Sequence, residues 1–296
     1  MLFKQKKQPF ILLENVDRLL KSPSSRRGRD FAIMLKTLDD LGYFVHWRVI
    51  NAGDYGMPQK RRRVFIFAFH KTLKFAQKFL TKDVNLIEDN FFNSVFPIER
   101  IDKQELCSLV NYTDVLAVSN SYAEGKFEDM GVMHNGIIWH AKPDIKDEVV
   151  YPLSQIIQQA VKYHRDSLSA YVVANEKLDK WKYLKGAKRI ERKASNGHQY
   201  IYSEGAMAFP EKMEEPARTM LTSEGTLNRS SHIIFDEQLQ QYRILTPVEC
   251  ELIQMFPPHW TDTMPNRNRY FMMGNALVTG IIRRLEPKLR EIILAE

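Results

Sequence analysis

The chain has 296 residues, 44% of them hydrophobic and 27% charged, which is enough apolar material for one large or two smaller packed domains and too much for a disordered chain. With 43 Lys and Arg against 36 Asp and Glu it carries +7 and an isoelectric point near 9.2, a balance that favours a polyanionic partner. Two cysteines in no metal-type spacing, and no apolar run of bilayer length, exclude a disulfide scaffold, a zinc finger and a membrane protein; the expectation is a soluble, cytoplasmic protein with no metal.

The first sixteen residues, MLFKQKKQPFILLENV, have too short an apolar core and no small-residue cleavage site for a signal peptide. Phe10 to Leu13 read instead as a short buried strand that delivers Glu14, Asn15 and Val16 at its carboxyl end, where ligands bind in open α/β sheets. From this tripeptide alone a surface-loop acid is the stronger reading of Glu14. Residues 22–30, SPSSRRGRD, form a polar loop in which Arg26, Arg27 or Arg29 can touch phosphate or simply be solvated.

Phe31, Met34, Leu35, Leu38 and Leu41 recur at helical spacing, so residues 30–41 are expected to be an amphipathic helix started by Asp30 and stopped at Gly42. Over 43–50, Val45, Trp47 and Val49 alternate with His46 and Arg48, the pattern of a strand. A lone histidine there is more readily packed or exposed than a ligand. The loop NAGDYGMPQKRRR follows. Because an extended chain projects alternate residues to one side, Gln59, Arg61 and Arg63 are expected to point together at one anionic ligand, with Lys60 and Arg62 turned away. A solvated basic run is the ordinary alternative. The adjoining apolar run, residues 64–69, suits a strand buried on both faces of a parallel sheet. Strand, helix, strand, loop, strand is the order of half an α/β sheet.

From 70 to 241 the periodicity weakens and a second, smaller domain is expected. Leu153, Ile156, Ile157, Ala160 and Val161 suggest one helix. Asn196-Gly197 between strand-like flanks signals a hairpin over 188–202, with Arg189, Arg192, Lys193 and His198 near its tip. A basic hairpin with aromatic neighbours can enter a DNA groove, although a solvated hairpin is the plain alternative. Residues 215–234 are rich in Thr, Ser, Asn and Arg, which can bond phosphates and base edges; Arg192, Thr226 and Arg229 are the DNA-binding candidates. Next, Thr246-Pro247-Val248-Glu249 is a capping box with proline at the first helical position, and Pro257-Pro258 must end its helix. Cys250 inside it reads as a core thiol. Gly274-Asn275 precede a last apolar helix, with Asn275 as its expected cap.

Taken together these blocks resemble the DNA cytosine-5 methyltransferases. FILLENV looks like that family's Glu-Asn-Val motif, Gln59 to Arg63 like Gln-x-Arg-x-Arg, RILTPVECELIQMFP like Arg-x-Leu-Thr-x-x-Glu, and Gly274-Asn275-Ala276-Leu277 like Gly-Asn-Ser/Ala-Val, in the family's order. The resemblance implies an α/β fold: part of a Rossmann-like S-adenosylmethionine-dependent catalytic domain at 1–75, a target-recognition domain at 76–241, and a return to the catalytic domain at 242–296. It implies methyl transfer from S-adenosylmethionine to C5 of a cytosine flipped out of double-stranded DNA, in a bacterial restriction-modification system.

In that chemistry a cysteine thiolate adds to C6 of the base. By resemblance Glu14, kept protonated by burial, bonds N3, Arg63 holds O2, Arg61 and Gln59 support the pocket and backbone, and Asn275, Ala276 and Leu277 form one wall of the cofactor site. The family's Phe-x-Gly-x-Gly cofactor loop and Pro-Cys-Gln nucleophile motif have no counterpart here, since Cys107 lies in ELCSLV and Cys250 in VECELI. The expectation is therefore the C-terminal part of such an enzyme, inactive without a complementary N-terminal methyltransferase chain; a binding-only specificity remnant is the alternative. A transfer-RNA methyltransferase ranks lower, because the Cys-Phe-Thr tripeptide of that branch does not occur. Two departures touch the cofactor wall: Leu277 replaces the usual valine, and Met255 stands where glycine is common.

Overall fold

A computed structural model describes residues 8–80, 86–146, 148–195 and 197–296. The chain divides into two units, one made of Met1–Tyr55, Arg62–Glu148 and Ile281–Glu296, the other of Gly56–Arg61 and Val149–Gly280. This division differs from the expected borders at 75 and 241. Residues up to 148 stay with the first sheet, and 56–61 count with the second unit.

The first unit contains β1 (Phe10–Val16), α1 (Arg29–Asp40), β2 (Tyr43–Asn51), β3 (Arg62–His70), β4 (Ile98–Ser108), α2 (Val115–Ser121), β5 (Met130–His134) and β6 (Ile137–Ile145). The strands form one six-stranded sheet in the order β1-β3-β2-β5-β6-β4. β3 is buried on both faces as its composition requires, but it pairs antiparallel with β1 and β2, not parallel. The correction has a physical reason: an unbroken apolar run reports that both faces are covered and says nothing of strand direction.

Each face of β3 has its own cover. Val64, Ile66 and Ala68 share a core with Phe31, Ala32, Leu35 and Leu38 of α1. Glycine is needed where this helix begins, since Gly28 has φ +90° and a Cβ there would lie 2.0 Å from the Gly125 carbonyl oxygen. On the other face Phe67 packs on Phe91 at 4.3 Å and Phe69 on Phe75 at 4.8 Å between ring centres. The aromatic-rich stretch beyond residue 70, expected to begin a new domain, thus covers the sheet instead. His46 and His134 meet inside this cluster, their Nε2 atoms 3.1 Å apart, and burial holds His46 well below the ordinary histidine value and His134 at about 3. Because His46 Nδ1 accepts from the Phe91 amide, its Nε2 carries the proton and donates to His134.

The second unit contains α3 (Leu153–Ala160), α4 (Asn175–Lys185), β7 (Lys188–Lys193), β8 (Gln199–Glu204), β9 (Ile233–Asp236), β10 (Gln241–Ile244), α5 (Pro247–Ile253) and α6 (Asn266–Asn275); α7 (Thr279–Leu294) starts here and ends in the first unit. α5 opens on the expected capping box, with Thr246 accepting from the Glu249 amide and Glu249 from the Thr246 amide. Glu249 also receives both terminal nitrogens of Arg243, whose Nε donates to Asp236 at 2.7 Å. Three buried charges thereby satisfy one another, which is the condition for burying them at all. Arg243 thereby closes β10 onto the helix that Glu249 caps.

Candidate functional site

The basic motif at 59–63 straddles the boundary of the units, so its residues do not share one face toward one ligand. Arg63 sits at the start of β3 in the first unit. Since β1 runs antiparallel to β3, Val16 lies opposite Arg63 and Glu14 is Arg63's diagonal neighbour on the same face. Arg63 Nε stands 2.9 Å from Glu14 Oε1. The Glu14 side chain is 31% and that of Arg63 16% exposed. Glu14 is exposed where a buried position was expected, because the strand that carries it is covered only as far as Leu13. Arg62 points elsewhere, to Asp17 at 3.3 Å and Asp129 at 2.9 Å.

In the second unit Gln59 and Arg61 are buried and hold backbone. Pro58 and Lys60 exchange hydrogen bonds with Ala217, and the Met220 peptide is gripped from both sides, its N–H donating to Gln59 Oε1 and its carbonyl accepting from Arg61 Nη1. Arg61 Nη2 continues to the Gly274 carbonyl at 3.0 Å. Lys60 leaves the zipper to pair with Glu215 at the surface.

Gly274 and Asn275 end α6; they do not start α7. Asn275 is therefore no N-terminal cap, and its amide donates back to the Phe271 carbonyl at 3.2 Å. Gly274 is needed for closeness, since a Cβ would lie 2.3 Å from the backbone of Leu221 and Thr222. The turn at 275–277 is fixed by Arg61 from one side and by Gln254 from the other, whose Nε2 donates to the Met273 carbonyl at 2.6 Å and the Ala276 carbonyl at 3.3 Å. Sequence reasoning missed Gln254; a lone glutamine closing the apolar stretch of α5 was the available signal. Asn275 stays exposed while Ala276 and Leu277 are half-buried, which leaves a polar-to-apolar strip accessible. Nearby Met255 has φ +61°, the region that favours glycine, and Gly280 makes room for it.

The DNA candidates separate. Arg192 is exposed on β7 with its guanidinium 3.9 Å from the centre of the Tyr202 ring. Arg229 is not free to meet a phosphate: it donates to the carbonyls of Leu184, Gly186 and Gly205 and pairs with Glu204 at 3.2 Å. Thr226 is exposed, donates to the Ser223 carbonyl at 2.6 Å, and borders a cleft of about 760 Å³ shared with Arg267, Asn268 and Phe271. The expected hairpin forms, with Gly197 at φ +85°; Asn196 lies outside the described residues. In the 22–30 loop Arg26 is likewise spent, on the carbonyls of Ser119 and Tyr122.

Neither thiol has the surroundings of a nucleophile. Burial, with Glu124 and Glu105 adding to it, pushes Cys107 up to about 12, and burial raises Cys250 well above the ordinary thiol value. Among the described residues no group of three or more His, Cys, Asp or Glu could hold a metal, and no helix is long and apolar enough to cross a membrane.

The C-5 cytosine-specific DNA methylase family matches over residues 2–291. The Type II methyltransferase M.Sau3AI of Staphylococcus aureus is 43% identical over 286 residues, 96% of this chain and 67% of that protein. The Type II methyltransferase M.NlaIV of Neisseria lactamica is 42% identical over 69 residues, 22% of this chain and 16% of its own length. The crystal structure of the S. pombe Dnmt2 methyltransferase shares the fold, with a TM-score of 0.54 at 14% identity over 96% of this chain and 67% of that one.

Proposed function

The chain belongs to the C-5 cytosine-specific DNA methylase family, and from that we propose that it serves methyl transfer from S-adenosylmethionine to C5 of a cytosine flipped out of a specific duplex site, within a bacterial restriction-modification system. The observation that carries this reading is the pair Glu14 and Arg63. Addition of a thiolate to C6 puts electron density on the ring. A carboxyl that donates its proton to N3 and a guanidinium that donates to O2 stabilise that charge at two neighbouring acceptors. The two side chains stand 2.9 Å apart on one accessible face, so a cytosine edge can meet both without opening the core.

Bound S-adenosylmethionine supplies an electrophilic methyl group. Asn275, Ala276 and Leu277 fit one wall of its site, because the strip they form is accessible and its backbone is braced by Arg61 and Gln254. The thiolate is not Cys107 or Cys250, both of which burial keeps protonated. It is supplied by polypeptide other than these 296 residues, a complementary N-terminal methyltransferase chain or segment. In keeping with this, β1 pairs with β3 alone among the described strands and its other edge is open to a neighbour.

The test is transfer of labelled methyl groups to duplex DNA. The chain alone should give none, and a chain bearing Phe-x-Gly-x-Gly and Pro-Cys-Gln should restore transfer to C5. The same two protonated thiols favour a second reading, a DNA-binding specificity remnant without catalysis. Duplex binding that persists while no such partner restores transfer would select it.

A further inference from the structure

We propose that the ribbon of β7 and β8 reads the duplex through the face carrying Arg189, Glu191, Lys193, Gln199, Ile201 and Ser203, and that Arg229 positions it. The inference rests on the DNA-substrate reading above and names where its specificity lies.

The register puts Arg189 opposite Ser203, Glu191 opposite Ile201 and Lys193 opposite Gln199, so these six share one face. All six are exposed, and among the described residues none of them makes a side-chain hydrogen bond or ion pair. The opposite face uses its polar groups internally. Arg192 stacks over Tyr202, the Tyr202 hydroxyl donates to Glu204, and Lys188 reaches Glu204 at 3.4 Å. Four basic side chains against two acidic ones leave the ribbon positive, which suits a polyanion.

Its dimensions fit as well. Six-residue strands run about 20 Å, and a two-stranded ribbon is one of the shapes that B-DNA's roughly 12 Å major groove admits. The free face offers a fork for guanine O6 and N7 in Arg189, a bidentate amide for adenine in Gln199, an acceptor for cytosine N4 in Glu191 and an apolar surface for a thymine methyl in Ile201. Reading bases also demands a fixed approach. Arg229 supplies it by binding the Leu184 and Gly186 carbonyls just before β7 and the Gly205 carbonyl just after β8. One guanidinium thus clamps both roots of the ribbon and leaves its tip projecting.

The experiment selects binding sites from a randomised duplex pool with the full chain and its variants, then probes the selected site with dimethyl sulfate for guanine N7 protection. Arg189→Ala and Gln199→Ala should each relax the preference at one base pair by about 5- to 150-fold while binding to random duplex persists. Arg189→Ala should also lose protection at one guanine. Tyr200→Ala, on the opposite face of the ribbon, should keep the wild-type preference, and Arg229→Met should blur it at several positions together. Wild-type preference and protection retained by both Arg189→Ala and Gln199→Ala would overturn the ribbon assignment while leaving the DNA reading intact. A wild-type chain that binds no duplex, or favours RNA, would overturn both.

Discussion

Arg63 Nε lies 2.9 Å from Glu14 Oε1 because the antiparallel register of the two strands makes these residues diagonal neighbours on one face. A single ion pair at the solvent-accessible end of a sheet, half-buried as this one is, adds about 1 kcal/mol to stability, so the arrangement is cheap to alter structurally. Glu14→Gln keeps the shape and removes the acid. In the complemented enzyme it should lower methyl transfer by about a hundredfold or more, with thermal unfolding moved by no more than a few degrees. Radiolabel incorporation and a melting curve on the same preparation check both halves.

Arg61 has the opposite profile. It is 1% exposed and donates to carbonyls 159 and 213 residues away, so Arg61→Ala strands two buried acceptors and leaves a void. The expected cost is about 3 to 5 kcal/mol, read as a fall in the urea midpoint. Arg62→Ala, two exposed ion pairs lost, should cost less than about 1 kcal/mol.

The histidine pair sets a pH dependence. His46 and His134 have native values depressed below the unfolded value of about 6.5. The folded state therefore prefers them neutral. Their contribution is complete above that value and is lost as pH falls from about 6.5 towards 3, at up to about 1.4 kcal/mol per pH unit for each. His134→Phe keeps a ring against Phe44 and removes one titrating group. Its unfolding free energy should decline less steeply than wild type between pH 6 and 5, as denaturant titrations at several pH values would show.

The thiols give a fourth expectation. At pH 8 a thiol titrating at about 12 is ionised to about one part in ten thousand, so a disulfide reagent should label the native chain far more slowly than the unfolded one. Cys107→Ser and Cys250→Ser should each leave methyl transfer in the complemented enzyme nearly unchanged. Loss of activity in either would return the nucleophile to this chain.

Local chemistry was legible where one short segment decides the structure. The capping box at Thr246, the helix of Phe31 and Leu35, and the turn that carries Gly197 all follow from neighbours in sequence. α6 escaped because NRNRYFMMGN carries no apolar stripe: Phe271 and Met272 are exposed while Arg269 is buried. What orients it is the bond from Arg269 to Glu251, which no local pattern reveals. Arg229 as a DNA contact, and Arg61 as one of three side chains facing a single anion, escape local reading for a related reason, while the backbone-supporting role that the resemblance implies for Arg61 matches its contacts. An arginine in a polar stretch looks available for an anion, and only the folded chain shows which carbonyls already hold it.

The zipper between residues 58–61 and 217–220 carries a consequence for biosynthesis. Six residues threaded out of the early part of the chain belong to the later unit, and the last sixteen return to the earlier one. When vectorial translation has reached residue 200 neither unit is whole, because the Met220 peptide and the Gly274 carbonyl are still to come. The emerging polypeptide must hold its sheet together with this strand loop unpaired, so the non-local closures through Met220 and Gly274 follow the pairing of the sheet strands that precede them in sequence. A nascent chain arrested before Gly274 would lack the carbonyl that Arg61 Nη2 bonds in the folded chain, so the zipper would be held by the Met220 contacts alone.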